Sequence, residues 1–177
     1  MFWFTADLHL NHEAVLRHSN RPFASLNEMN DVLIKNINDR VDRNDTLIIV
    51  GDFCWRRSTT AAFRQRLNVR NILVAIGNHD QASNLKTVFG KDQVKDILEI
   101  KVPLPDGNKQ LIIACHYSMR VWNKSHYGTW HVYGHSHGRL SEELHSLSCD
   151  VGVDCWDYAP VSFDILAAHM LKKQRQI

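Results

Sequence analysis

Five short motifs along the chain contain the residue types that most often bind metal ions. They are Asp-Leu-His at 7–9, Gly-Asp at 51–52, Gly-Asn-His-Asp at 77–80, Cys-His at 115–116 and Gly-His-Ser-His at 134–137. Imidazole is the commonest metal-binding side chain, and carboxylates bind divalent cations well. Each motif alone is also explained as a turn, a helix cap or a surface pair. Five such motifs in one chain indicate a metal centre.

The candidate ligands are too many for one tetrahedral ion. They are two carboxylates, one amide and four imidazoles: Asp7, His9, Asp52, Asn78, His116, His135 and His137. A structural zinc site would instead use four Cys or His ligands at paired spacings. Two divalent cations about 3.5–4 Å apart, sharing a carboxylate, fit this set better. Because such a pair activates water and stabilises charge on a phosphoryl group, the sequence predicts a hydrolase of phosphate esters.

Each motif directly follows an apolar segment with the length of a β-strand. These segments are FWFTA, DTLIIV, NILVAI, LIIAC and WHVY. Ligands in α/β proteins bind at the carboxyl ends of the strands, so five strand ends can surround one pocket. Glycines in the motifs, including Gly134 and Gly138, are expected to permit sharp turns and close approach of the backbone.

The remaining segments predict one α/β domain over residues 1–177. Residues 25–41 have helical apolar spacing, with Ser25 or Asn27 as the N-cap. Further patterns predict helices at 58–68 and 162–174, a β-hairpin at 97–118 and a strand at 147–154.

Composition restricts the function classes. The chain has 21 Lys and Arg against 19 Asp and Glu, so it lacks the basic surplus of a dedicated nucleic-acid binder and has no evident track for extended nucleic acid. No apolar run approaches the roughly 20 residues of a membrane helix, and we expect no membrane association. The four cysteines form no C-x-x-C pair and no signal peptide is evident, which predicts reduced thiols and a cytoplasmic location. Cys54 and Cys115 are interpreted as buried apolar residues.

In their order along the chain, the motifs resemble the calcineurin-like metallophosphoesterase family, whose pattern is D-x-H, G-D, G-N-H-[D/E], H and G-H-x-H. The similarity extends from Asp7 to His137, and the segments NRPF…EMNDVLI and VGVD-W-YAPVS resemble small bacterial and phage members. The resemblance implies an α/β fold, a four-layer αββα sandwich of two mixed β-sheets flanked by helices, with the metals at the strand ends.

The resemblance also implies a role for each ligand. The first metal ion would be held by Asp7, His9, Asp52 and His137. Asp52 would bridge to the second ion, which would also be held by Asn78, His116 and His135. The ions would be two divalent transition metals, with manganese as the first expectation and iron, zinc, nickel or cobalt as alternatives.

Beside the metals, the resemblance implies that His79 and Asp52 are the catalytic residues. His79 would face the substrate, protonating the leaving-group oxygen or stabilising phosphate charge. Asp80 is expected to anchor its loop or orient a neighbour, with a substrate contact as the alternative. The protein-phosphatase branch has G-D-x-x-D-R, whose second Asp orients the catalytic His. Trp55 stands in its place here while Arg56 keeps the Arg position, which argues against a phosphoprotein substrate.

The remaining candidates for substrate contacts each have a plainer explanation. Arg56 or Arg57 would bind phosphate or be an ordinary surface arginine, and His12 would line the pocket or pack on a helix. A further aromatic group would stack on a nucleobase or belong to the core: Trp122, His126, Tyr127 and Trp130.

The predicted function is hydrolysis of phosphodiesters or small phosphate esters, including nucleotides or oligonucleotide ends. A phosphomonoesterase of small molecules and a metal-bound, non-catalytic scaffold on the same fold are the alternatives. Since no expected ligand is missing from the sequence, the enzyme is the favoured hypothesis.

Overall fold

The computed structural model describes residues 1–143 and 145–174, and it contains two mixed β-sheets flanked by helices, as predicted. The strands are β1 (Phe2–Thr5), β2 (Thr46–Val50), β3 (Asn71–Ala75), β4 (Val94–Lys95), β5 (Ile97–Pro103), β6 (Lys109–Cys115), β7 (Trp130–Tyr133), β8 (Ser148–Asp150) and β9 (Val161–Ser162). The α-helices are α1 (Ala14–His18), α2 (Leu26–Arg40), α3 (Thr60–Gln65), α4 (Ala82–Phe89) and α5 (Phe163–Gln174). Single 3₁₀ turns occur at Arg57–Thr59, Ser125–Tyr127 and Val153–Cys155.

The strand order brings the carboxyl ends of both sheets to one edge of the molecule. The first sheet has the order β4-β3-β2-β1-β9, and β9 is antiparallel to β1 while its other pairs are parallel. The second has the order β5-β6-β7-β8, with β5 antiparallel to β6. A parallel bridge between Ala6 and Gly152 joins the segments that follow β1 and β8. Loops after the parallel strands of both sheets therefore meet there.

One core lies between the two sheets. Phe4, Ile48 and Val50 from the first sheet are fully buried in one apolar cluster with Ile112 and Val132 from the second. Strand side chains alternate between faces, so β2 has Leu47 and Ile49 on its other side. These two residues belong to a second cluster, which fills the space beneath the helices and also contains Met29, Leu33, Ile37, Phe63 and Leu85.

The long predicted elements are present with their expected caps. Helix α2 has Ser25 as its N-cap, and the Ser25 hydroxyl accepts a hydrogen bond from the backbone N–H of Glu28 at 3.1 Å. The Ser162 hydroxyl accepts from the N–H of Ile165 at 3.3 Å at the start of α5. Strands β5 and β6 form the predicted hairpin.

Two helices and two strands were not predicted. Helix α1 has only five residues, and α4 has the sequence ASNLKTVF, which is rich in poor helix formers. Strands β4 and β9 have two residues each and are defined by pairing with neighbours that are distant in sequence. The predicted helix at 58–68 is shorter than expected, because its first turn is 3₁₀ and α3 ends at Gln65.

Candidate metal centre

The loops that carry the predicted ligands have an unusual backbone conformation. Five of these residues are in the left-handed region: Asp7 (φ 55°), His9 (φ 50°), Asp52 (φ 55°), His135 (φ 67°) and His137 (φ 49°). Side-chain-bearing residues adopt this region rarely, and such strain tends to cluster at functional sites. The sharp turns are therefore made largely by the ligand residues themselves.

The glycines serve both predicted purposes, sharp turns and close approach of the backbone. Gly51 and Gly138 have positive φ, whereas Gly77 and Gly134 are needed for space. A Cβ atom on Gly134 would lie 2.6 Å from Oδ2 of Asp7, and one on Gly77 would lie 2.2 Å from Oδ1 of Asp52. These two glycines let the backbone pass directly against the ligand carboxylates.

A first group of ligands surrounds the end of β1. Asp7, His9 and His137 each present a ligand atom, and these atoms lie within 4.8 Å of one another. Both Asp7 oxygens accept the backbone N–H of His135, at 3.1 and 2.9 Å. The Nε2 atom of His9 is buried and has no hydrogen-bond partner among residues 1–143 and 145–174. A buried polar atom without a partner is costly, so this nitrogen is suited to a metal ion.

A second group of ligands lies on the other side of Asp52. The Oδ1 atom of Asn78 is 2.9 Å from Nε2 of His116 and 2.9 Å from Nδ1 of His135. The other ring nitrogen of His116 lies 3.0 Å from the carbonyl oxygen of Val50. A hydrogen bond from Nδ1 to this carbonyl leaves Nε2 free for a metal ion, a common arrangement for histidine ligands.

Asp52 connects the two groups. Its Oδ2 atom is 3.4 Å from Nε2 of His9 in the first group and 3.4 Å from Nε2 of His116 in the second. Its Oδ1 atom accepts the backbone N–H of His79 at 2.9 Å, which fixes the orientation of the carboxylate. Asp52 thus lies between the two groups of predicted ligands.

Burial and close contact shift the pKa values of the clustered groups. Burial raises the pKa of Asp7 to about 7, and burial lowers the pKa of His9 to about 3. Burial opposes the charged forms of Asp52 and His116 as well, but their mutual hydrogen bond and attraction outweigh it. The pKa of His116 is raised to about 9 and that of Asp52 is lowered to about 2. The chemistry of this donor set and the unpartnered His9 nitrogen fit divalent metal ions.

Two residues that the sequence analysis did not single out hold the first group in place. The Nδ1 atom of His137 lies 2.7 Å from Oδ2 of Asp154. The fully buried guanidinium of Arg21 donates to both Asp154 oxygens at 2.9 and 2.8 Å. Arg21 also donates to the carbonyl oxygens of Asp7 at 2.6 Å and Leu8 at 3.1 Å. Both residues lie in the NRPF and VGVD segments, whose resemblance to the family was the available signal.

Asp80 joins the loops that follow β2 and β3. Its carboxylate accepts backbone N–H groups from Asp52 at 2.8 Å, Gly77 at 2.9 Å and Phe53 at 3.0 Å. Both oxygens are committed to the backbone, which fits the interpretation of Asp80 as a loop anchor. These bonds do not support the alternative, a contact with substrate.

Aromatic rings surround His79 where a carboxylate partner would otherwise be expected. Within the described residues, no side chain hydrogen-bonds to the His79 imidazole. Its ring centroid is 4.9 Å from that of Trp55, 5.4 Å from that of His12 and 5.1 Å from that of His9. The Nδ1 atoms of His12 and His9 are 3.2 Å apart, so His12 contacts a predicted ligand directly.

The other candidates for substrate contacts differ in how much of each side chain is exposed. Trp122 and Trp130 are buried, with Trp122 donating to the carbonyl oxygen of Thr129 and Trp130 stacking on Phe163. The base-stacking hypothesis is therefore wrong for these two tryptophans, because their faces are covered by the core. Tyr127 is 78% exposed.

The smaller predictions have mixed outcomes. Arg56 and Arg57 are exposed, as both the phosphate-binding and the surface interpretations allow. Cys54 is buried as expected, whereas Cys115 is only half-buried. None of the described helices is both long and apolar enough to cross a membrane.

Comparison with known proteins agrees with the geometry of the site. Residues 1–169 match the calcineurin-like phosphoesterase family. The uncharacterized protein MJ1445 of Methanocaldococcus jannaschii is 29% identical over 171 residues, covering 93% of this chain and 88% of that protein. The crystal structure of AQ665, a protein of unknown function from Aquifex aeolicus, superposes with a TM-score of 0.69 at 18% identity, covering 96% of this chain and 98% of that one. At 18% identity, the similarity to AQ665 shows a shared fold and nothing further.

The chain thus belongs to the calcineurin-like phosphoesterase family. Membership implies metal-dependent hydrolysis of phosphoesters with divalent metal ions, and the described residues contain groups suited to hold such ions.

Proposed function

We propose that this protein hydrolyses phosphodiesters or small phosphate esters at a dinuclear metal centre. The observation that carries the proposal is the position of Asp52, whose Oδ2 atom lies 3.4 Å from ligand nitrogens of both groups. One ion would be held by Asp7, His9, Asp52 and His137. The other would be held by Asp52, Asn78, His116 and His135. Manganese is the proposed metal, with iron, zinc, nickel and cobalt suited to the same nitrogen and oxygen ligands.

The ions, when bound, supply an activated water and positive charge that offsets the charge on the phosphoryl group. The protein supplies the orientation of the ligands through Arg21, Asp80 and Asp154. His79 extends from the loop after β3 beside the ligands, where it can donate a proton to the leaving-group oxygen. Among residues 1–143 and 145–174, no carboxylate hydrogen-bonds to the His79 ring, which contacts the rings of His9, His12 and Trp55.

The proposed substrate is a small ester and not a phosphoprotein. Trp55 occupies the position at which the protein-phosphatase branch has an Asp. A net charge of +2 gives no broad basic surface for long nucleic acid, whose binding depends on many phosphate contacts. A nucleotide or a short oligonucleotide end is the natural substrate that these features favour.

The test is a substrate panel at matched concentrations, with each candidate metal in turn. It compares bis(p-nitrophenyl) phosphate, p-nitrophenyl phosphate, cyclic nucleotides, short oligonucleotides and phosphopeptides. We expect the highest kcat/KM for a diester or a nucleotide. A tenfold preference for phosphopeptides, about 1.4 kcal/mol in transition-state binding, would overturn the substrate assignment. A monoester preference would define a phosphomonoesterase, and failure to hydrolyse any ester with any metal would favour the scaffold alternative.

A further inference from the structure

An exposed tryptophan lies beside the candidate metal centre. Trp55 is 46% exposed, although large aromatic side chains bury apolar surface when they can. It stacks in parallel on His12, with ring centroids 4.0 Å apart and an interplanar angle of 6°. His12 in turn touches His9, a proposed ligand, through the Nδ1 pair at 3.2 Å. The tryptophan is therefore held in a fixed orientation two contacts away from the proposed ions.

The three ring distances show which face of Trp55 is open. His79 is 4.9 Å from Trp55 and 5.4 Å from His12, while Trp55 and His12 are 4.0 Å apart. The His12–His79 separation is far shorter than the sum of the other two distances, which it would approach if the three rings were in line, so His79 lies beside the stack and not on the far face of the indole. Since His12 covers one face, the exposed area of Trp55 belongs mostly to the opposite face and its edge.

A shallow groove of about 290 Å³ runs along this tryptophan. Its lining includes His12, Trp55 and the methylene-rich, positively charged side chains Arg17 and Arg56. Glu13 also lines the groove, so the charges there sum to one positive charge. A flat apolar surface bordered by cations is suited to a ligand that combines an aromatic ring with phosphate.

We infer that Trp55 is a specificity-determining residue that stacks on an aromatic ring in the leaving group of the ester, such as a nucleobase or an aryl group. This inference rests on the proposed function, because the ester phosphate must bind at the metal centre. The leaving group is the part of the ester that His79 faces, and Trp55 is the neighbour of His79. An aromatic leaving group would therefore extend along the open face of the indole.

The experiment measures binding on the full chain loaded with Mn²⁺, with ligands whose ester oxygen is replaced by a methylene group so that they cannot be hydrolysed. Calorimetry compares the phosphonate analogue of AMP with that of ribose 5-phosphate, which has the sugar but no base, and each analogue is denoted by the name of its parent ester. We expect wild-type protein to bind AMP about tenfold more tightly, a ratio within the range that base stacking on an aromatic ring supplies. Trp55→Ala should reduce the ratio to about one, and Trp55→Phe should retain most of it. Ile165→Ala, which removes an exposed apolar side chain on α5, should leave it unchanged.

Two results would overturn the inference: equal affinities for AMP and ribose 5-phosphate in the wild type, or an unchanged ratio in Trp55→Ala. Far-ultraviolet circular dichroism and bound metal content of each variant show whether the fold and the centre are intact. Turnover of bis(p-nitrophenyl) phosphate is measured separately. Turnover without a base preference refutes the role of Trp55 and leaves the proposed function standing. A base preference without turnover of any ester refutes the proposed function, and with it the leaving-group assignment, and leaves Trp55 as a base-binding residue only.

Discussion

At the scale of single residues, the site depends most on one carboxylate. Asp52 is almost fully buried, and one of its oxygens faces imidazoles from both ligand groups. Its other oxygen is fixed by the backbone N–H of His79. A carboxylate in this position can serve two cations because it carries a full negative charge, which an amide of the same shape lacks.

Asp52→Asn should therefore remove at least one ion and most of the activity. Changes in residues that merely support ligands typically cost about 10–100-fold in metal affinity or activity, and we expect this change to cost more than 100-fold. Metal analysis and kcat/KM for a diester are the measurements. Asp39→Asn, at an exposed position on α2, is the matched control and should behave as the wild type. Retention of two ions with near-normal turnover would show that Asp52 does not bridge.

His79→Ala should separate chemistry from metal binding. The backbone N–H of His79 holds Asp52, and this bond survives truncation of the side chain. We expect both ions to stay while kcat falls by about 10²–10⁴-fold, the usual contribution of a positioned acid. The loss should be smaller for p-nitrophenyl esters, because p-nitrophenolate leaves without a proton. An ion missing from His79→Ala would instead place His79 among the ligands.

The convergence of the proposed ligands could be predicted from sequence because each follows an apolar strand in a fixed order of motifs. The residues that hold these side chains in place could not be predicted, because Arg21 and Asp154 are 133 positions apart and meet only in the folded chain. The left-handed conformation of ligands such as Asp7 and Asp52 also leaves no local signal, because residues with side chains rarely adopt it.

At the scale of elements, strand ends and the loops after them build the site. The loops after β1, β2, β3, β6 and β7 supply the seven proposed ligands. Three polar residues fix these loops: Asp80 accepts three backbone N–H groups, and the Arg21–Asp154 pair ties the β1 loop to His137. Burial opposes ionisation of Asp154, but its bonds to His137 and Arg21 outweigh burial and lower its pKa to about 2.

Asp154→Asn should weaken metal binding without changing a ligand. The amide keeps the shape of the side chain but loses the charge that orients His137, so we expect a loss of about 10–100-fold in metal affinity. Calorimetric titration of the metal-depleted protein is the measurement. Asp157→Asn is the matched control, because Asp157 is exposed and Asn tolerates its positive φ. Equal metal affinity in Asp154→Asn and wild type would refute this supporting role.

Long elements with clear periodicity, such as α2 and the β5–β6 hairpin, could be predicted because their own residues define them. Helix α4 could not, because Ser, Asn and Thr favour other conformations and the helix forms by packing Leu85 into the core. Strands β4 and β9 form by pairing with β3 and β1, and no local sequence pattern indicates these pairings.

At the scale of the whole molecule, two sheets pack face to face and point the carboxyl ends of seven parallel strands at one edge. The core between the sheets fixes their relative position, so ligands from β1–β3 can meet ligands from β6 and β7. Such packing is rigid, which keeps ligands from distant parts of the chain in register. The fold thereby places the polar and charged residues of the candidate metal centre at one edge of an apolar core.

The central claim is that two metal ions at this edge are required for phosphoester hydrolysis. The most direct test removes metal with a chelator, returns Mn²⁺ in measured equivalents, and follows bis(p-nitrophenyl) phosphate hydrolysis together with bound metal per chain. The account predicts no turnover in the metal-free protein and full recovery only when two ions are bound. Full turnover by metal-free protein, or maximal turnover with a single bound ion, would contradict it.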